Sequence, residues 1–339
     1  MRVPPRSARA HAALTLVESL QQRLVAALER VAADAGAPTS FAPSEWERDG
    51  GAHGGGARFG TGGGTVFDRA SINVSQVHYD DQPERALSSA TALSSIVHPR
   101  HPLAPSMHLH TSWTETRDGA GYWRVMADLN PSHPDPADTL AFRDALRAAA
   151  PGEWAVAEPQ GDRYFAIPAV GRTRGVTHFY LEAWGTGDFD ADRALAERVE
   201  RAAIDTYAPL IARHQPQPVP DGADRRQREY HTLYLFQVLT LDRGTTSGLL
   251  IHDQNDLGIL GSLPSRVDPA LLAQWADRVP PPQDALVRSL VEAVGGGDIT
   301  DAVKGALAQR VRAHYRAHPA AIELQARGDV VPPTVANHR

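Results

Sequence analysis

The sequence predicts an α+β protein, a large and mostly antiparallel sheet flanked by helices. Three observations lead there. Segments of apolar/polar alternation follow one another across residues 65–129, parted by short turn signals, as strands of successive hairpins are. Segments with apolar residues three and four apart stand before and after that run. Strands and helices do not alternate regularly, so βαβ units and a parallel sheet are disfavoured. The 339 residues, 42% hydrophobic and 22% charged, can build one large domain or two ordinary ones. The expected division is an N-terminal arm and helix over 1–38, a central domain over 39–279, and a C-terminal helical extension and tail over 280–339.

Residues 1–10 carry paired prolines and scattered arginines and are expected to be loose. Leu14, Val17, Leu20, Leu24, Ala27 and Val31 then mark a helix over 11–35, stopped by Gly36 and Pro38. Gly54-Gly55-Gly56 and Gly62-Gly63-Gly64 suggest a phosphate cradle, but no strand precedes them and no helix opens on them. We read them as a flexible loop plus hairpin. Alternation predicts strands over 65–68 and 71–78, over 107–114 and over 122–129, with turns at 80–85 and at Gly119 and Gly121. The apolar segment 86–97 ends at His98-Pro99. Helical spacing returns over 139–150 (Leu140, Phe142, Leu146). Short strands are expected at 154–156 and 164–167, a longer one at 176–184, and an amphipathic helix over 189–213. After the proline-rich connection 215–224, residues 230–241 read as a strand, 245–248 as a turn and 258–263 as an apolar segment. Helices follow over 268–279, 284–294 and 299–318, with a tail over 326–339.

Net charge is -6, from 34 basic and 40 acidic residues, and no Lys/Arg block is present, so nucleic acid is not an expected partner. The absence of cysteine excludes disulfides, thiolate nucleophiles and Cys-ligated metal sites. No apolar run approaches the ~20 residues of a membrane span. His11, Glu18, Gln21, Gln22 and Arg23 interrupt the first apolar segment, which argues against a signal peptide. Cytoplasmic residence follows by default.

Candidate chemistry concentrates in residues 93–131. His98, His101, His108 and His110 stand on an apolar background, and Asp128 sits just before the turn at Asn130-Pro131. On a strand, His108, His110 and Ser112 share one face. An imidazole there can move a proton near neutral pH, and a carboxylate raised by burial can accept one. The plainer alternatives are satisfied polar histidines and a turn-capping aspartate.

Several pieces of the chain, spread over residues 40–275, resemble the aerobic coproporphyrinogen III oxidase family. They are Trp46 with the glycine-rich segment, Val66-Phe67-Asp68-Arg69-Ala70-Ser71-Ile72-Asn73-Val74-Ser75 with Val77-His78, and Ser94-Ser95-Ile96-Val97-His98-Pro99-Arg100-His101-Pro102. Asp128-Leu129-Asn130-Pro131, Arg174-Gly175, Leu241-Asp242-Arg243-Gly244-Thr245, Gly248-Leu249 and Ser262-Leu263-Pro264 follow in order. The resemblance implies a homodimer, each subunit a large antiparallel sheet with a cleft over it. It implies oxidative decarboxylation of porphyrinogen propionates to vinyl groups by molecular oxygen, with neither metal nor organic cofactor, begun by deprotonation of a pyrrole nitrogen. Residue by residue, it makes Asp128 and His108 catalytic and Ser94, His110, Ser112, Arg174 and Arg243 substrate-binding. His98 and His108 are weak candidates for a metal.

The departures from the family's pattern are specific. Its propionate-clamping arginine falls at Ser112, and its glycine run before the aspartate is replaced by Tyr122-Trp123-Arg124-Val125-Met126-Ala127. Two of four histidines sometimes proposed to bind metal are missing, near Ala141–Arg143 and Ala169, and two histidines make a poor transition-metal site. Phe236-Gln237-Val238, Asn255 and Leu257 replace polar or charged residues further on. Taking one bidentate arginine out of an anion site weakens binding by roughly 1.5–3 kcal/mol. Arg100, Arg124, Arg172, Arg174 and Arg243 are the cations that could compensate. Three readings follow: a porphyrinogen oxidase, a divergent cofactor-independent oxidase acting on another electron-rich aromatic acid, and a non-catalytic tetrapyrrole-binding protein.

Overall fold

In the computed structural model, which describes residues 2–252 and 255–328, the alternating segments form one meander. Strands β1 (Ala42–Glu47), β2 (Gly54–Gly62), β3 (Phe67–His78), β4 (Leu87–Pro99), β5 (Ser106–Thr116) and β6 (Gly121–Asn130) pair antiparallel, each with the next. Two short strands, β7 (Ala166–Ile167) and β8 (Arg172–Thr173), form a separate hairpin. Strand β9 (Thr177–Trp184) completes the seven-stranded sheet beside β6.

The alternation separates two faces. Met107, Leu109, Trp113, Trp123, Val125, Ala127 and Leu129 point into an apolar core. That core is closed by α1 (Ala8–Asp34), α2 (Pro136–Ala149) and, beyond α3 (Trp154–Tyr164), α4 (Phe189–His214). Their partners in alternation, His108, His110, Ser112, Tyr122, Arg124 and Met126, look the other way. A second apolar cluster lies on that side, built by α5 (Ala223–Thr240), α6 (Arg243–Ile251), α8 (Pro269–Ala276), α9 (Gln283–Val294) and α10 (Asp301–Ala317), with the short α7 (Asp256–Ile259) between α6 and α8. It reaches the sheet through Ile96. The polar part of the face is left as a cleft.

Several local expectations fail, each for a physical reason. Residues 230–241 are not a strand but the end of α5, with every residue from Tyr230 to Thr240 buried; burial on all sides erases the helical period. Residues 154–156 open helix α3, whose Trp154, Ala157, Gly161 and Tyr164 are buried, and 245–248 lie within α6. The glycines at 54–56 are strand, not loop. A Cβ on Gly56 would lie 2.2 Å from the Val74 carbonyl and 2.6 Å from Trp46 Nε1, and one on Gly54 would lie 2.3 Å from the Gln76 carbonyl. Bare backbone lets β2 pass there (Gly54 also has φ +89). The N-terminal arm is anchored, with the Val3 amide donating to the Gly51 carbonyl and the Arg6 amide to Asp80. Of the expected tail, residues 329–339 lie outside the described residues.

Candidate active site

Antiparallel register builds the site as rows across the sheet. Ser71, Ile96, His108, Asp128 and His178 form one row; Asn73, Ser94, His110, Met126 and Tyr180 form the next. In a third, Ser112 stands opposite Arg124. Directly opposed residues on one face lie within side-chain reach, which fixes the contacts below.

His108 and Asp128 make the first contact. The imidazole donates from Nδ1 to Asp128 Oδ1 at 2.6 Å and lines the cleft, so Nε2 is the nitrogen available there. Asp128 is fully buried behind it, and its Oδ2 accepts from Arg174 Nη2 at 2.8 Å and from Asn130 Nδ2 at 2.7 Å. Arg174 also donates to Gln237 Oε1 at 2.7 Å and lies over the Phe165 ring, 4.4 Å from its centroid. Burial alone would push the Asp128 carboxyl up, but the Arg174 charge and His108 outweigh it and hold the group well below the ordinary carboxylate range.

His110 is held differently. Its Nδ1 meets Ser94 Oγ at 3.1 Å and its Nε2 meets Ser112 Oγ at 3.2 Å. Burial pushes the imidazole down to about 3, with Arg124 and His108 adding to the shift, so the ring is neutral. Arg124 is paired side-on with Glu182, Nε to Oε1 at 3.0 Å and to Oε2 at 2.8 Å, and reaches the Tyr180 hydroxyl at 3.3 Å. Asp242 closes that end of the cleft. It accepts from Tyr164 Oη at 2.7 Å and caps α6 through the Thr245 amide at 2.7 Å. The cleft encloses about 320 Å³, within the range of small-molecule sites. Phe165, Met126, Ile96 and Tyr234 supply its apolar walls.

The profile of the family described as Coproporphyrinogen III oxidase matches residues 12–293. The chain belongs to the coproporphyrinogen III oxidase family. It is similar to the oxygen-dependent coproporphyrinogen-III oxidase of Rickettsia bellii (strain OSU 85-389), 30% identical over 248 residues, which are 68% of this chain and 85% of the relative. The proteins of the same name in Rickettsia akari (strain Hartford) and Rickettsia conorii (strain ATCC VR-613 / Malish 7) are each 29% identical over the same shares. The α+β architecture with a seven-stranded antiparallel sheet is the one the family resemblance implied.

Within this family member, Ser94, His108, His110, Ser112 and Arg174 come together around the cleft as the sequence suggested. Two expectations are corrected. Arg243 does not line the cleft; it opens α6 and pairs with Glu323 at 3.4 Å. Asp128 is not a carboxylate raised by burial but a depressed one, clamped by Arg174, Asn130 and His108. His98 has no nitrogen to offer a metal, since Nδ1 meets Ser106 Oγ at 2.9 Å and Nε2 meets the Ser262 carbonyl at 3.2 Å. Arg124, one of the candidate compensating cations, lines the cleft. Sequence reasoning missed Asn130, Gln237, Glu182, Tyr164 and Asp242. Asn130, Gln237 and Asp242 lay inside segments quoted for the family comparison, but no role was assigned to them there.

Proposed function

We propose that this chain catalyses the oxygen-dependent oxidative decarboxylation of propionate side chains on a porphyrinogen, as part of haem biosynthesis. The observation that carries it is the His108–Asp128–Arg174 constellation on the cleft floor of a coproporphyrinogen oxidase family member. His108 Nε2 takes the pyrrole N–H proton. Asp128 accepts from Nδ1 and stabilises the imidazolium that forms, while Arg174 and Asn130 fix the carboxylate. Neutral His110, with both ring nitrogens engaged by Ser94 and Ser112, lines the cleft beside the ring system without adding charge. Phe165, Met126, Ile96 and Tyr234 keep water from the electron-rich ring while oxygen reacts. The balance is one propionate, one dioxygen and one proton to one vinyl group, one carbon dioxide and one hydrogen peroxide. No metal or organic cofactor takes part in this scheme, and the subunits act as a homodimer in the cytoplasm.

The test is oxygen uptake and carbon dioxide release by purified protein given reduced porphyrinogens, coproporphyrinogen among them. Turnover that falls at least about a hundredfold in His108→Ala supports the reading. No turnover with any porphyrinogen over a wide range of protein concentration overturns it. A second reading, an oxidase of a smaller pyrrolic or indolic acid, draws on the ion pairing of both cleft guanidiniums. Uptake confined to such acids would establish it.

A further inference from the structure

One guanidinium edge in the cleft is left without an acceptor. Arg124 stands on β6 opposite Ser112, lines the cleft, and is held side-on by Glu182 through Nε at 3.0 and 2.8 Å. Its Nη2 also serves Glu182 and reaches the Tyr180 hydroxyl at 3.3 Å. A guanidinium carries five N–H donors. Among the described residues none accepts from Nη1, so its pair of N–H groups stays uncommitted. The other cleft guanidinium offers no such edge. Arg174 is 2% exposed and closed in by Asp128, Gln237 and the rings of Phe165 and Tyr234.

The space before Nη1 is open. Gly244 lines the cleft there, and a Cβ on it would stand 3.7 Å from Nη1. Ser112, across the strand pair, is short, and its hydroxyl is engaged by His110. The nearby carboxylates are committed to protein donors: Glu182 to Arg124, and Asp242 to Tyr164 Oη and to the amide and hydroxyl of Thr245. Gly244 lies in the first turn of α6, whose positive end offsets part of the Asp242 charge. The Arg124 side chain is 14% exposed, a setting in which a charge-assisted hydrogen bond is strong.

Resting on the porphyrinogen reading above, we propose that Arg124 binds, through Nη1, a spectator propionate of the macrocycle, one that is not being decarboxylated. Glu182 is the positioning residue that turns that edge into the cleft. The dimensions agree. Ser112 follows His108 by four residues on β5, and Arg124 precedes Asp128 by four on β6, roughly 13 Å along the strands. A porphyrinogen carries its pyrrole N–H groups at the centre and its propionates at the rim. A macrocycle whose N–H meets His108 therefore brings a rim carboxylate toward Arg124. A spectator carboxylate keeps its charge throughout the reaction, so the contact is equally strong before and at the transition state, and its loss acts on KM more than on kcat.

Coproporphyrin, with four propionates, is the probe. Its Kd is read from the shift of the Soret band, and KM and kcat from oxygen uptake on coproporphyrinogen. The double variant Arg124→Gln with Glu182→Gln removes the cation without stranding a buried carboxylate. It is expected to weaken coproporphyrin at least about tenfold, the effect of one charge-assisted contact, and to raise KM by more than it lowers kcat. Glu182→Gln alone keeps the cation and should bind the probe no more weakly than wild type. Gly244→Leu keeps both charges and fills the space before Nη1, so it tests the same contact should the neutral pair fail to fold; it too should weaken the probe about tenfold. The inference is overturned if the folded double variant or Gly244→Leu binds as tightly as wild type, if Glu182→Gln alone weakens binding as much as the double variant, or if the double variant loses kcat with KM unchanged. Those results leave wild-type turnover, and with it the proposed function, intact, whereas absence of turnover on every porphyrinogen overturns both.

Discussion

At the scale of the residue, the decisive fact is that one carboxylate, Asp128, serves a guanidinium, an imidazole and an amide at once. In the proposed mechanism its role is to orient His108, so the two residues should fail in different ways. His108→Ala should lower kcat with the fold intact. Asp128→Asn leaves Arg174 buried with its charge uncompensated, and breaking such a pair costs roughly 3–5 kcal/mol; a fall in Tm measured alongside activity separates the two effects. Titration gives a second pair of contrasts. Asp128 is depressed in the folded chain, so its stabilisation is present above the ordinary carboxylate range and is lost as pH falls below it. Glu200 on α4 is the opposite case. Burial pushes it from 4.5 up to about 8, although the Thr111 hydroxyl donates to it. It is protonated when folded where it would be ionised when unfolded, so its contribution is full below pH 4.5 and declines as pH climbs through 8. Glu200→Gln should flatten stability, measured by denaturant unfolding, between those pH values; an unchanged slope would contradict the assignment.

Elements show which parts of the fold could be read from sequence. The strands β3, β5 and β6 were legible because the sheet has one apolar and one polar face, and that difference writes a period of two into the chain. The same alternation, from spacing alone, placed His108, His110 and Ser112 together. Helix α5 was illegible because Tyr230–Thr240 is buried all round, which leaves aromatic and β-branched residues with no polar stripe. The glycines of β2 were read as a loop because their constraint comes from Trp46, Val74 and Gln76, residues outside the segment. Gly56→Ala is the direct check. A Cβ 2.2 Å from the Val74 carbonyl forces β2 away from β3, and overpacking of this kind costs roughly 1–3 kcal/mol, readable as a lower midpoint in urea. In α5, Phe236→Ala should cost about 3–5 kcal/mol, since Phe236 is wholly buried against Trp275.

For the molecule as a whole, the sheet divides the labour. One face is closed by α1, α2 and α4 and supplies the core; the other carries the chemistry, with α5 and α6 bringing Gln237, Asp242 and Tyr234 to the cleft. The site's polar contacts span 20 residues between His108 and Asp128, 46 between Asp128 and Arg174, and 63 between Arg174 and Gln237. Sequence could name the first three residues by family resemblance. It could not show that Asp128 stands behind His108, that Arg243 points away toward Glu323, or that Arg124 is held by Glu182. Those are consequences of register and packing between distant segments. The central claim is that this face oxidises a porphyrinogen with dioxygen, using His108 as base. Oxygen uptake and carbon dioxide release, followed together on porphyrinogens with two to four propionates, test it most directly. The account predicts one carbon dioxide per dioxygen and loss of both signals in His108→Ala. Uptake that persists unchanged in that variant, or no uptake with any porphyrinogen, would contradict it.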